Sequence, residues 1–580
     1  MNNAALSKIT QQVMWDRLIA VVEEQAQTLI RTAFGTIVRE AGDLSAGVYD
    51  LRGRMIAQAV TGTPGHVNTM AVAVEHFLKR FPVSTMREGD IYITNDPWMG
   101  TGHLFDFVVV TPTFRRGKIV GMFASTCHFS DIGGIGFSAN ARSIFEEGLY
   151  VPHMKLADQG RYNETLLQML EANVRTPVEV KGDLFSLVSS NEAGGRRLVE
   201  MMDEFALENI EELSDHINDA SRAGMLAAIR KLRPGRYRSE MTTDGYEQQL
   251  RFVLTMTVSE NGIHVDFDGT SKTSKFGINS PKCYTDAYTS FGIKCVLAPY
   301  VPNNAGALGT ISISAPENTI VNALPPHAVA SRHVIGQMLP DAVLGCLHQV
   351  VPGGVPAESS GSLWSLKTIS GHYAGDVPAE DLEGTSKFIS TSISVGGMGA
   401  RPTKDGLSST AFPSGVRNIP VEVVEAGGPL LFRRREFLPE SGGIGKFRGG
   451  HSHVAEIFNT ERAGFAVSAG TWDRLRNPTR GREGGGGGRP GRVRLSSGRE
   501  FTTKSIHTVP AGESLIVELP GGGGFGDSLQ RDPKLVAEEV RNELISAETA
   551  RTAYGVVCNA LGVLDETATT ALRRKLNKRD

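Results

Sequence analysis

Asn95 to Gly134 reads Asn-Asp-Pro-Trp-Met-Gly-Thr-Gly-His-Leu-Phe-Asp, Phe-Val-Val-Val-Thr-Pro-Thr-Phe, Arg-Arg-Gly-Lys, Ile-Val-Gly-Met-Phe-Ala-Ser-Thr and Cys-His-Phe-Ser-Asp-Ile-Gly-Gly. Two apolar runs flank a basic, glycine-containing break at Arg115 to Lys118, the pattern of a β-hairpin. With the turn centred near Arg116, residues whose numbers sum to about 232 face each other across the ladder. His103 and Asp106 then lie beside His128, and Asp131 falls just past the strand end. Two imidazoles and at least one carboxylate at one open end of a rigid hairpin suit a divalent metal that accepts mixed nitrogen and oxygen ligands. The ordinary alternative is that a strand-end histidine is simply hydrogen-bonded, since His-x-x-Asp spacings also arise by chance.

Working outward, 580 residues exceed what one core supports, so two or three domains are expected. Lys plus Arg number 60 against 63 for Asp plus Glu, a net charge of −3 that points to neither nucleic acid nor an anionic membrane. The five cysteines are scattered, without a Cys-x-x-Cys pair, which argues against a disulfide framework or a thiolate zinc site. The N-terminus shows no signal-like apolar core and no stretch of eighteen apolar residues occurs, so a cytoplasmic protein is expected.

Upstream of the hairpin, helical spacing from Leu6 to about Glu40 predicts a long amphipathic helix interrupted near Gly35. A small hairpin turning at Arg52-Gly53 follows, with Asp43 just before its first strand, and Thr63 to His66 reads as a loop ahead of a helix from Asn68 to Phe81. Downstream, Phe145 to Pro152 reads as extended, and Val178 to Leu232 as helix broken near Gly194-Gly195. A hairpin turns at Asn261-Gly262. Helices cover Tyr284 to Ala298 and Ala328 to Val350, the latter containing Arg332 and His333.

The last third is rich in Gly, Ser and Pro and is expected to be β-rich with many turns. Arg482 to Arg492, carrying Gly484 to Gly488, reads as a flexible basic loop, and a helix from Lys534 to about Ser546 as the closing element. The fold class is therefore α+β and multidomain: a helical and β-hairpin N-terminal half with a β-rich, Gly-rich C-terminal region. The expected divisions are an α+β metal-site domain over 1–233, a central α/β region over 234–352 and the Gly-rich region over 353–580.

So many glycines invite a nucleotide-binding reading, but Gly-x-x-x-x-Gly-Lys-Ser/Thr is absent. Gly521, Gly523 and Gly526 spell Gly-x-Gly-x-x-Gly in a bare glycine run with no βαβ unit around them. Neither a Gly-x-Ser-x-Gly elbow nor His-Glu-x-x-His occurs. The basic loop lacks the interleaved aromatics of a nucleic-acid site. The hairpin cluster is the constellation with chemical promise.

Asn95-Asp96-Pro97, His103-Leu104-x-Asp106, Val109-Val110-Thr111-Pro112 and His128-x-x-Asp131-Ile132-Gly133-Gly134 together resemble the hydantoinase B/oxoprolinase family. So do Asp43-x-Ser45, Gly182-Asp183-Leu184, Asp266 to Thr270, Asn303-x-x-Gly306 and Pro520 to Asp527, in the same order along nearly the whole chain. The resemblance implies the B subunit of an ATP-dependent hydantoinase, 5-oxoprolinase or lactamase, cytoplasmic and working on a cyclic amide. It further implies a partner A subunit of actin-like ATPase fold carrying ATP and Mg, in a heterotetramer. A divalent zinc or manganese is implied at the positions matching Asp43, His103, Asp106 and His128.

Asp131 and His66 are candidates for the general base, Asp131 also for orienting a ligating histidine. The alternatives are a subunit of an ATP-dependent ketone carboxylase or a non-catalytic scaffold for a partner ATPase. One departure stands out: hydrolase members read Gly-Gly-Thr-His-Leu-Pro-Asp where this chain has Gly100-Thr101-Gly102-His103-Leu104-Phe105-Asp106.

Overall fold

The valine-rich runs on either side of Arg116-Gly117 form the centre of a seven-stranded sheet, in a computed structural model that describes residues 8–369 and 388–577. The elements run α1 (Lys8–Thr32), β1 (Leu44–Tyr49), β2 (Met55–Gln58), α2 (Pro64–Arg80), β3 (Ile91–Thr94), β4 (Asp106–Arg115) and β5 (Lys118–His128). They continue with α3 (Ile144–Glu147), β6 (Met154–Asp158), β7 (Arg161–Tyr162), α4 (Glu164–Asn173), α5 (Pro177–Glu204) and α6 (Glu211–Ile229). The sheet order is β2-β1-β5-β4-β3-β6-β7, with every pair antiparallel.

Arg116 and Gly117 both have positive φ, 52° and 74°, as a two-residue hairpin turn requires. A bulge between Thr113 and Phe114 moves the register, so Asp106 pairs with His128 and Val110 with Ala124. From Asp106 to Thr113 the pairing is shifted by two from the expected one, which leaves these side chains on their expected face.

Strand alternation sorts the core. Val108, Val110, Met122 and Ala124 pack with Val67, Met70, Val74 and Phe77 of α2. Phe107, Val109 and Cys127 point the other way, into the layer with Ala26 and Leu29 of α1 and Leu184 and Leu187 of α5. Burying each large apolar side chain contributes about 1.5–3 kcal/mol, so the sheet is held firmly from both faces.

Several local expectations are corrected. Leu6, the expected start of the first helix, lies outside the described residues. That helix does break near Gly35, where the Asp183 carboxylate accepts the Phe34 and Gly35 N–H groups at 2.7 and 3.0 Å. Thr63 to His66 is no free loop: Thr63 is the N-cap and Pro64 the first residue of α2, a position where its missing N–H costs nothing. α5 runs unbroken through Gly194-Gly195. A Cβ on Gly194 would come within 2.5 Å of Phe123, so glycine there serves close contact with the sheet rather than a helix break. Residues 144–147 are helical rather than extended.

The remaining strands of this region are β8 (Gly235–Thr243), β9 (Leu250–Ser259), β10 (Gly262–Asp266) and β11 (Ile311–Ser314), in the sheet order β11-β10-β9-β8. The helix α7 (Lys282–Leu297) packs on α2. The chain divides into two compact units, one of residues 1–240, 252–346 and 414–416, the other of residues 241–251, 347–413 and 417–580.

The second unit holds two four-stranded sheets. One is built from Leu363–Ile369, Ile389–Val395, Phe465–Ser468 and Ile506–Val509, the other from Leu430–Phe437, His453–Asn459, Arg492–Leu495 and Ser514–Glu518. Glycine segments outside these sheets are bonded to one another. Gly522 donates to Gly450, Gly443 to Gly522, Gly450 to Met398, and Gly524 to Gly486. A Cβ on Gly450 or Gly522 would sit 2.0 Å from a carbonyl oxygen.

The segment read as a flexible basic loop is thus packed: Gly485, Gly486 and Gly488 each approach neighbouring chain too closely for any side chain. The closing helix is likewise shorter than expected, Pro533–Arg541, and two more follow at Ala547–Tyr554 and Glu566–Leu576. The architecture is α+β, and no helix among the described residues is long and apolar enough to cross a membrane.

Candidate metal centre

Three neighbouring strands and one helix start aim their polar residues at a single point. Asp106 opens β4 and pairs directly with His128 at the end of β5. β1 pairs with the other edge of β5, Leu44 opposite Cys127, so Asp43 is next to His128 and its carbonyl accepts the His128 N–H at 3.1 Å. Asp106 and His128 share sheet parity with Val108 and Ala124, which places them on the α2 face. There His66 occupies the first turn of α2. His103 comes from the glycine-rich turn before β4.

Asp106 is the hub, completely buried. Its Oδ1 lies 2.8 Å from His103 Nε2 and 3.2 Å from His128 Nδ1. Its Oδ2 accepts from Arg332 Nη2 at 2.5 Å and lies 2.9 Å from His66 Nε2. One oxygen therefore faces the two imidazoles while the other is fixed by a guanidinium. His103, Asp106 and His128 offer three ligand atoms within 4.8 Å of one another, a spacing that one divalent ion can span.

The decisive detail is at His103. Its Nδ1 donates to the Ala330 carbonyl at 2.8 Å, which leaves the lone pair of a neutral ring on Nε2. That Nε2 is buried without a hydrogen-bond partner, although Asp106 Oδ1 is close by. A lone pair facing a carboxylate oxygen is repulsive unless a cation lies between them. A proton on the ring is disfavoured: burial, with the Arg332 charge adding to it, drives the His103 imidazole down to about 3. A divalent metal ion fits this donor set of two imidazoles and one carboxylate.

Burial opposes the charged form of Asp106, yet its cationic neighbours, Arg332 among them, outweigh it and hold the carboxyl well below its usual range. For His66 burial acts downward, and the Asp106 and Asp43 carboxylates more than offset it, raising the imidazole.

The other sequence candidates divide. Asp43 lies outside the three-residue cluster, its Oδ1 3.5 Å from His66 Nδ1, so it brackets His66 together with Asp106. Asp131 is engaged elsewhere: one oxygen takes the Gly133 N–H at 3.0 Å and Arg175 Nη1 at 2.7 Å, the other the Arg175 backbone N–H.

Several residues of the centre carried no sequence signal as site residues. Arg332 bonds both Asp106 and the Thr101 carbonyl, and its guanidinium stacks 4.0 Å from the Tyr284 ring. Glu147, fully buried, accepts the N–H groups of Val329 and Ala330 at 2.5 and 2.7 Å, and so fixes the carbonyl that orients His103. Phe137 packs against His103, His128 and His333 alike. Arg332 lies 226 residues from Asp106 and Glu147 lies 182 from Val329, separations that hairpin reasoning cannot reach.

The departure in the turn before His103 has a structural counterpart. Gly102 has φ of +94°, and a Cβ on it would come within 2.6 Å of the Arg332 side chain. Where the hydrolase pattern carries threonine, this chain leaves room for a guanidinium. Phe105, in place of that pattern's proline, lies nearly parallel to the His128 ring with centroids 5.6 Å apart.

Comparison with known proteins identifies the family and the fold. The family model described as hydantoinase B/oxoprolinase matches residues 7–528. The caprolactamase subunit beta of Pseudomonas jessenii is 28% identical over 590 residues, covering 97% of this chain and 98% of that protein. The crystal structure of ATP-dependent caprolactamase from Pseudomonas jessenii superposes with a TM-score of 0.85 at 26% identity, covering 98% of this chain and 100% of that one. A nucleotide-free acetone carboxylase structure shares the fold, with a TM-score of 0.82 at 20% identity over 98% of this chain and 83% of the other. The chain belongs to the hydantoinase B/oxoprolinase family.

Proposed function

We propose that this chain is the metal-carrying B subunit of an ATP-dependent cyclic amidase, which opens a lactam, hydantoin or 5-oxoproline-type ring activated by a partner ATPase. The observation that carries the reading is the unpartnered Nε2 of His103 beside Asp106 and His128. The family match and the caprolactamase relative supply the substrate class. An unstrained amide resists hydrolysis, and coupling to phosphoryl transfer provides the drive. The sequence has no phosphate cradle of its own, so ATP belongs to the partner A subunit, which we take to have an actin-like fold.

His103, Asp106 and His128 would hold the ion, with Asp43 positioned to complete the set or to steer His66. A divalent zinc or manganese bound there would polarise the amide oxygen or a water and lower that water's pKa. Arg332 keeps the second oxygen of Asp106 turned away from the ion site, and Glu147, through Ala330, keeps the His103 tautomer fixed. His66, between two carboxylates, takes a proton from the attacking water at Nδ1 and returns it to the departing ring nitrogen. Asp131, already paired with Arg175, holds the Gly133 turn.

The test is to purify the native complex and measure ADP release with cyclic amides and with ketones, with and without bicarbonate. ADP and ring-opened acid formed in step without bicarbonate is the expected result. ADP release that requires both a ketone and bicarbonate would assign carboxylation instead. A complex whose turnover survives intact in His103→Ala would reduce this chain to a scaffold.

A further inference from the structure

Two residues along α2 from His66, Asn68 borders a separate cavity of about 310 Å3, walled by α2 with the segment before it and by α7 with the segment after it. Its polar lining is unusual in balance. Asn303 Nδ2 donates to Gln58 Oε1 at 2.6 Å and to Asn68 Oδ1 at 2.8 Å, and Asn68 in turn donates to the Ala287 carbonyl. These bonds occupy the carbonyl of Gln58 and the amide nitrogen of Asn303. The NH2 of Gln58 and the carbonyl of Asn303 keep no protein partner among the described residues.

Lys294, at the C-terminal end of α7, lines the same cavity. Its ammonium donates to the Val301 carbonyl, and no carboxylate pairs with it among the described residues. Two of its three N–H bonds therefore have no protein acceptor among the described residues. Burial draws this amine below the ordinary lysine range. Val60, Val67 and Pro299 supply apolar wall.

We propose that this cavity binds a small organic carboxylate, with its two oxygens on Lys294 Nζ and the Gln58 amide and its hydrocarbon stem against Val67 and Pro299. A single cation and one amide donor match a monoanion and are too few for a phosphate dianion. The volume lies at the lower end for small-molecule sites. The carbonyl of Asn303 is placed to accept from a donor elsewhere on the ligand, which favours an amino acid over a plain fatty acid. Hydrolysis of a cyclic amide yields a molecule of that kind, an amine and a carboxylate joined by a short stem. Assigning the ligand as the ring-opened product rests on the proposed amidase activity; recognition of a carboxylate does not.

The experiment is calorimetric titration of the full-length, metal-loaded chain without ATP, using 6-aminohexanoate, hexanoate, 1-hexanol and inorganic phosphate. Saturable binding of 6-aminohexanoate and, more weakly, hexanoate is expected, with 1-hexanol at least about tenfold weaker again, because a charge-assisted hydrogen bond is lost. Lys294→Met should weaken 6-aminohexanoate by about tenfold or more, and Lys294→Arg by much less. Should Lys294→Met fail to fold, judged by its circular dichroism and melting curve, Gln58→Leu carries the same prediction with a smaller loss. Equal binding of 1-hexanol, tighter binding of phosphate, or unchanged affinity in both Lys294→Met and Gln58→Leu would overturn the assignment. No turnover is read, so failure of the amidase reading would leave this result standing.

Discussion

The hairpin end in the first unit and the glycine core in the second are both dense and buried, but opposite elements make them so. At the hairpin, side chains do everything: Asp106 alone gathers two imidazoles, a guanidinium and His66. In the glycine core side chains are excluded, and backbone meets backbone at Gly397, Gly450 and Gly522. A side-chain site tolerates loss of one group at the expense of chemistry. A backbone-packed core has no room for one added atom.

The sharpest way to break that contrast is to put a methyl group in each region. Gly450→Ala places its Cβ 2.0 Å from the Leu407 carbonyl, where only backbone movement can relieve the clash. A loss of about 3 kcal/mol or more is expected in chemical denaturation. Gly427→Ala, whose new Cβ would have no neighbour nearer than 3.5 Å, is the control and should change stability by less than about 1 kcal/mol. Equal behaviour of the two variants would contradict the packed-glycine account.

At the hairpin the converse holds. His103→Ala should leave stability within about 2 kcal/mol of the parent yet lower turnover of the assembled complex by about a hundredfold to a thousandfold. Retained turnover, or global unfolding, would each break the contrast. Gly102→Thr introduces the threonine of the hydrolase pattern at that one position and pushes into Arg332. A metal affinity reduced by about tenfold to a hundredfold is expected from the disturbed partner of Asp106, read by competition with a chelator.

A pH-dependent effect concerns Glu147. Burial raises its carboxyl to about 8, against an ordinary value of 4.5. Between those values the folded chain keeps a proton that the unfolded chain has released, so this group's contribution to stability falls as pH rises. Glu147→Gln keeps the acceptor for Val329 and Ala330 but cannot ionise. Its unfolding free energy should gain on the parent's from pH 5 to pH 8, by at most about 1.4 kcal/mol per pH unit, read by denaturation at each pH. Parallel curves would remove the buried ionisation.

What the sequence made legible follows the same division. The hairpin could be read because alternation and a basic Gly turn fix a ladder, and a ladder fixes which residues meet. Even a register error of two kept Asp106 and His128 on one face. Arg332 and Glu147 escaped because no local pattern links residue 147 to 329 or 332 to 106. The glycine run from 484 to 488 was misread for a deeper reason: glycine gives flexibility to an open chain and close packing to a crowded one, and composition is the same in both. Gly194-Gly195 illustrates it in miniature, a presumed helix break that is a contact surface for Phe123 and Thr113.

The most direct test of the central claim is the metal content of the purified chain, by elemental analysis after exhaustive dialysis, for the parent and for Asp106→Asn. One divalent ion per chain in the parent and none in the variant is the result expected if His103, Asp106 and His128 form a metal centre. A parent that holds no ion after reconstitution with zinc or manganese, or a variant that holds one as tightly, would contradict it.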